Sequence, residues 1–129
     1  MFQLEQIDHA AITVSNLERS ITWYRDVLGL ERRYAEVWGD YPVMMCAGLT
    51  GVALFPASTD YPQPRPMDDR TTIMLRHLAF RVNRANFERA HVDLRARGIP
   101  FEFQDHTVSH SIYFHDPDGY EIEITTYEL

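Results

Sequence analysis

The feature that most limits what this chain can fold into is an internal repeat. His9-Ala10-Ala11-Ile12-Thr13-Val14 and His77-Leu78-Ala79-Phe80-Arg81-Val82 share the pattern His-x-Ala-x-x-Val, 68 residues apart. Both runs are rich in Val, Ile, Thr and Phe, which suit a pleated, half-buried surface, so both read as strands. Alternation along a strand puts His9, Ala11 and Thr13 on one face, and His77, Ala79 and Arg81 on the equivalent face. Leu78, Phe80 and Val82 point the other way, toward a covering helix. A helix pattern follows each strand. Ser15-Asn16-Leu17-Glu18 has the form of a capping box with Ser15 at N-cap and Glu18 at N3. Leu17, Ile21, Tyr24 and Leu28 recur at helical spacing, and Gly29 suits the left-handed stop. In the second copy Asn83 can cap, Phe87, Ala90 and Leu94 recur, and Gly98 stops the helix. Agreement in type, order and spacing marks a duplicated unit.

Three short strand-like runs follow each helix. In the first copy they are about Leu30–Trp38, Tyr41–Cys46 and Val52–Phe55. In the second they are about Pro100–Gln104, Ser109–His115 and Tyr120–Thr125. Between the copies lies Ala57–Arg70, where Pro62, Pro64 and Pro66 on a polar stretch read as an extended linker. The expected fold is therefore α+β. It consists of two tandem βαβββ modules, about residues 1–56 and 71–129, joined by the linker 57–70 within a single domain. Their sheets are expected to face each other around a cleft.

Bulk properties narrow the function. The chain has 129 residues, enough to bury a real core, with 45% hydrophobic and 24% charged residues. The net charge of −7 argues against nucleic acid and against anionic membrane surfaces, both of which need clustered Lys and Arg. No charged n-region precedes an apolar run at the N-terminus, and no apolar stretch approaches bilayer length. Cys46 is the only cysteine. These features together point to a reducing, cytoplasmic setting.

His9 and His77 stand at equivalent repeat positions. A lone strand histidine is more often a hydrogen-bonded core or surface residue than a ligand. Two at matched positions, which packing does not require, point to metal. A carboxylate from the last strand would complete the set. Asp116-Pro117-Asp118-Gly119 is turn chemistry, and in the following Tyr120-Glu121-Ile122-Glu123-Ile124 the isoleucines face the core. Glu121 and Glu123 then share the cleft face, where a carboxylate needs positive compensation. The alternative is that both are solvated edge residues.

Three stretches carry a resemblance: His-x-Ala-x-x-Val twice, Tyr24-Arg25-Asp26-Val27-Leu28-Gly29-Leu30, and Tyr113 through Glu123. With them the chain resembles the vicinal oxygen chelate superfamily, which includes glyoxalase I, fosfomycin resistance proteins, bleomycin resistance proteins and extradiol dioxygenases. The resemblance covers essentially the whole chain. It implies one divalent metal ion held by His9, His77 and Glu123, because the family's ligating Glu is the fourth residue after the turn glycine. It also implies a homodimer, with the site built within one chain or shared between two. Glyoxalase I carries a fourth ligand in the first module. Counting back 68 or 69 residues from Glu123 reaches Phe55 or Leu54, neither of which binds metal. Two histidines and one carboxylate leave open positions for substrate and O₂, a set favouring Fe(II), with Mn(II), Zn(II), Ni(II) and Co(II) also suited.

His106 through Tyr113 to Glu123 resembles the extradiol ring-cleavage signature. There the histidine is an acid–base group and the tyrosine hydrogen-bonds the substrate, which makes His106 and Tyr113 candidate catalytic residues. Gln104 departs from that signature. The expected activity is that of a dioxygenase acting on a small catechol-like or enediol substrate. The alternatives are a non-oxidative lyase, isomerase or thiol transferase, and a drug-binding resistance protein. Fosfomycin resistance proteins have a basic cation-binding loop and a C-terminal Arg without counterpart here. His110 reads as structural, and His91 and His115 as solvated. Tyr34, Trp38 and Tyr41 read as lining or core. Arg81 is a candidate surface ion pair or anion contact, and Cys46 an inert buried thiol.

Overall fold

The computed structural model describes residues 1–58 and 74–129. The chain falls into two compact units, Met1–Gln63 and Pro64–Leu129. Most of the proline-containing stretch read as a linker lies outside the described residues.

The first unit runs β1 (His9–Val14), α1 (Leu17–Asp26), β2 (Glu31–Arg33), α2 (Ala35–Trp38), β3 (Val43–Ala47) and β4 (Thr50–Pro56). The second runs β5 (His77–Arg81), α3 (Arg84–Ala96), β6 (Glu102–Asp105), β7 (His110–His115) and β8 (Glu121–Thr126). The sheet orders are β1-β4-β3-β2 and β5-β8-β7-β6. In each unit the first strand pairs parallel with the last, and the other pairings are antiparallel. The fold is thus α+β with tandem modules of the expected kind.

Local chemistry explains the helix ends. Asn83 accepts from the Asn86 N–H at 2.9 Å and caps α3. The cap of α1 is Asn16, whose side chain accepts from the Arg19 N–H at 3.0 Å, and not Ser15. The chain stays extended through Asn16 (φ −139°), so the first helical turn begins one residue late. Ser15 Oγ instead accepts from the Arg19 guanidinium at 2.8 Å. Both helices stop at a left-handed glycine, Gly29 (φ 68°) and Gly98 (φ 69°). After α3 the Ile99 N–H bonds the Leu94 carbonyl and the Gly98 N–H bonds that of Arg95, which satisfies two helix-end acceptors.

The run Leu30–Trp38 is not one strand. Pairing ends at Arg33, Tyr34 takes a left-handed conformation (φ 65°), and Ala35–Trp38 form a single helical turn. Ala35 and Glu36 favour helix while Val37 and Trp38 favour strand, so the αL residue at Tyr34 is what breaks the extended run. Tyr34 and Trp38 meet at a tilted angle with ring centroids 5.0 Å apart on the surface, and Tyr41 is exposed, so these aromatics do not fill the core.

Each core lies between helix and sheet. In the first unit Ile21 and Tyr24 of α1 are buried together with Ile12, Val14, Val43, Met45, Val52 and Leu54 of the sheet. In the second, Phe87 and Leu94 of α3 are buried with Ile112, Phe114, Ile122 and Ile124. His91 is not solvated as expected. Its ring lies 4.8 Å from Phe87 and 5.2 Å from Phe101, and its Nδ1 is 2.9 Å from the Phe87 carbonyl oxygen. His110 serves structure, with Nδ1 3.0 Å from the Arg84 guanidinium. No helix among the described residues is long and apolar enough to cross a membrane.

Ser20 on α1 is fully buried and its hydroxyl has no hydrogen-bond partner among the described residues. Leaving such a group unpaired is costly, and Ala is the better helix former. Ser20→Ala should therefore raise the unfolding free energy by about 1 kcal/mol in urea denaturation. A loss of stability would mean that the hydroxyl is paired in solution.

Candidate metal site

The site-bearing face of the second sheet follows from register. Parallel pairing sets His77 opposite Glu121 and Ala79 opposite Glu123, and antiparallel pairing sets Tyr113 opposite Glu123 and Ser111 opposite Thr125. Ile122, Ile124 and Thr126 occupy the helix side of β8, so Glu121 and Glu123 emerge on the other face beside His77. Because Ala79 carries only a methyl group, the His77 ring meets no bulky neighbour on its own strand as it reaches toward Glu123.

The contacts are close. His77 Nε2 lies 2.8 Å from Glu123 Oε2, and His77 Nδ1 lies 3.4 Å from Glu121 Oε1. Glu123 is only 8% exposed. Its other oxygen, Oε1, accepts a 2.6 Å hydrogen bond from Ser111 Oγ, which also lies 2.9 Å from Thr125 Oγ1. A buried carboxylate is expensive unless a cation or several donors satisfy it. Here Ser111 holds one oxygen and leaves the other directed at His77.

These donors suit a divalent ion. His77 Nε2 and Glu123 Oε2, 2.8 Å apart at hydrogen-bond distance, bring an imidazole nitrogen and a carboxylate oxygen together on one face. Imidazole nitrogen with carboxylate oxygen is a donor set that first-row metals accept. Among the described residues of either unit taken by itself, no group of three or more His, Cys, Asp or Glu is arranged to hold a metal. His9, in the first unit, is half exposed, and its Nδ1 lies 2.7 Å from Asp8 Oδ2.

His106 and Tyr113 come together, with His106 Nε2 2.9 Å from the Tyr113 hydroxyl. The Tyr113 ring also meets His77 edge-on at 5.8 Å. Burial first, and then the neighbouring Glu123 charge, push the Tyr113 phenol above its usual pKa, so it stays protonated at neutral pH. A cavity of about 120 Å³ opens on this face, lined by Arg76, His77, Glu102, Gln104, Tyr113 and Glu121. Arg81 is exposed and lies over the Tyr127 ring at 4.5 Å, outside this group.

The first unit carries the same framework with different chemistry. Its register pairs His9 with Gly51 and Ala11 with Ala53, so Ala53 is the counterpart of Glu123, and neither Leu54 nor Phe55 is. The path from first to last strand is two residues longer in the second unit (His77 to Glu121, against His9 to Gly51), which a constant offset misses. Met44 and Cys46 take the register positions of Tyr113 and His115, and pack with Ala53 as an apolar cluster. A Cβ on Gly51 would sit 2.4 Å from the Met45 carbonyl oxygen, so the counterpart of Glu121 cannot carry a side chain. This face bounds a cavity of about 410 Å³ floored by Met44 and Cys46.

The sequence model of the glyoxalase/bleomycin resistance protein/dioxygenase superfamily matches residues 6–124. The chain belongs to this superfamily. Its members are mostly metal-dependent enzymes acting on small molecules. The superfamily match is supported by relatives of differing activity. The chain is 27% identical over 121 residues to the glutathione transferase FosA of Serratia marcescens, an alignment covering 94% of this chain and 80% of that one. It is 29% identical over 124 residues to the catechol-2,3-dioxygenase of Bacillus subtilis, covering 92% of this chain but only 40% of that one. A solved glyoxalase/dioxygenase from Nostoc punctiforme shares the fold at a TM-score of 0.78 and 24% identity, covering 96% of this chain and 92% of that one.

Sequence parity places Ser111 on the right face without assigning it a role, and only the cross-strand distance shows that it holds Glu123. Removing that donor leaves a buried carboxylate oxygen unsatisfied, which typically costs about 1–3 kcal/mol. Ser111→Ala should lower stability by that amount in metal-free protein. Ser111→Thr, which keeps the hydroxyl, should lose less, as chemical denaturation would show. Equal losses would remove the hydrogen bond as the cause.

Proposed function

We propose that His77 and Glu123, with His9 as third donor from the same chain or a second copy, hold one divalent metal ion, and that the chain is a metal-dependent dioxygenase of small catechol-like or enediol substrates. The observation that carries the reading is the 2.9 Å contact between His106 and Tyr113 on the face that bears His77 and Glu123. Bound metal, Fe(II) by preference, would supply a Lewis acid with positions open to substrate oxygens and O₂. The residues of the chain do the rest. Glu123, held by Ser111, keeps its free oxygen in place. Tyr113 remains a neutral phenol and donates to, or accepts from, a substrate oxygen. His106 exchanges a proton with the substrate directly or through Tyr113.

A second reading, thiol transfer, is favoured by the FosA relative, which aligns along four-fifths of its own length, whereas the dioxygenase relative aligns along two-fifths. Glutathione would then take the place of O₂ as co-substrate.

The readings separate in one experiment. Protein reconstituted anaerobically with Fe(II) should consume O₂ with a catechol and form a yellow ring-opened product. His106→Ala should lower turnover by ~10²–10⁴-fold, the usual contribution of an acid–base group, with metal content unchanged. Tyr113→Phe should lose less. Glutathione consumption with an electrophile, in the absence of catechol-dependent O₂ uptake, would replace the oxygenase reading with the transferase one.

A further inference from the structure

Each proposed metal-binding histidine has a carboxylate against the same ring nitrogen. His9 Nδ1 is hydrogen-bonded to Asp8 Oδ2 at 2.7 Å, and His77 Nδ1 lies 3.4 Å from Glu121 Oε1. The two carboxylates come from unrelated places. Asp8 is the residue before β1, whereas Glu121 is the cross-strand partner of His77 on β8. Duplication does not account for this. The register position of Glu121 in the first unit is Gly51, where no side chain fits, and the residue before His77 is Arg76. A carboxylate thus stands at Nδ1 of both histidines by different means, as a 2.7 Å hydrogen bond at His9 and a looser 3.4 Å contact at His77.

We infer that Asp8 and Glu121 are positioning residues, one behind each histidine, which hold the Nδ1–H and leave Nε2 as the donor atom. This rests on the metal reading above. The physical reason is general. An imidazole presents two nitrogens, and a carboxylate accepting from one fixes the ring orientation and makes the other a better donor. At His77 the Nε2 lies 2.8 Å from Glu123 Oε2, a hydrogen-bond distance at which the ring nitrogen donates a proton that a bound ion would replace. His9 Nε2 is the nitrogen that Asp8 leaves available. The Asp8–His9 contact, with side chains 80% and 42% exposed, adds little to folding stability, whereas His77 and Glu121 are more enclosed at 34% and 23%.

The test is Zn(II) affinity, measured by competition with a chelating dye on the whole chain, with thermal stability of the metal-free protein recorded alongside. Asp8→Ala and Glu121→Ala should each weaken Zn(II) binding by about 10–100-fold, the usual cost of losing such a partner, with little change in Tm for Asp8→Ala. Asp8→Asn and Glu121→Gln keep an oxygen acceptor while removing the charge, and should recover most of the loss. If the alanine variants bind as tightly as the parent while His77→Ala and Glu123→Ala do not, the positioning role is wrong and the metal site stands. If the amides bind as weakly as the alanines, the carboxylates act only through charge and the inference fails. If the parent chain binds no Zn(II), Fe(II) or Mn(II), the metal reading fails and takes this inference with it.

Discussion

The parallel pairing of β5 with β8 is the constraint on which the site-bearing face depends. It brings the first and last strands of the second unit side by side, so His77 meets two carboxylates that lie more than forty positions further along the chain. Antiparallel β7 then supplies Ser111 and Tyr113 from the other flank of β8. A carboxylate as buried as Glu123 would be excluded from such a sheet without these neighbours, since its desolvation costs several kcal/mol. Ser111 and His77 offset part of that cost and fix the direction of each oxygen. The polar face is therefore a single hydrogen-bonded set, and the apolar face beneath α3 is what makes its geometry rigid.

The two units show how one backbone plan supports opposite surfaces. Glu123, Tyr113 and His115 in the second correspond to Ala53, Met44 and Cys46 in the first. The first unit cannot regain the second acidic position by simple substitution, because a side chain at Gly51 would collide with the backbone of β3. Polar chemistry is concentrated in one module and an apolar, sulfur-bearing floor in the other. The superfamily accommodates relatives as different as a glutathione transferase and a catechol dioxygenase. The shared part is the framework, and the reaction depends on which side chains occupy a few register positions.

Much of this architecture is legible in the residue pattern itself. The repeat of His-x-Ala-x-x-Val, the helix between each strand and its stopping glycine, and the alternation of Glu and Ile in β8 are local patterns with a period of two or 3.6. They are enough to specify two βαβββ modules and to place His77, Glu121 and Glu123 on one face. Where local signals compete, the pattern misleads. Ser15 and Asn16 are both good caps, and the choice falls to the residue at which the chain leaves the extended state. Leu30–Trp38 has strand-like composition, yet one left-handed tyrosine turns its second half into a helix.

What the sequence determined alone is the order and type of elements, their faces, and the chemical inventory on the second sheet. Those depend on neighbours a few residues apart. Tertiary structure decided which atoms meet. Only strand register could show that Ala53 is the counterpart of Glu123, because a two-residue difference in path length is invisible to a constant repeat offset. Only cross-strand packing could assign Ser111 to Glu123, His106 to Tyr113 and His91 to an aromatic cluster. The reason is physical: a hydrogen bond or ring contact is set to within a few tenths of an ångström by strands distant in sequence, whereas residue pattern specifies direction alone.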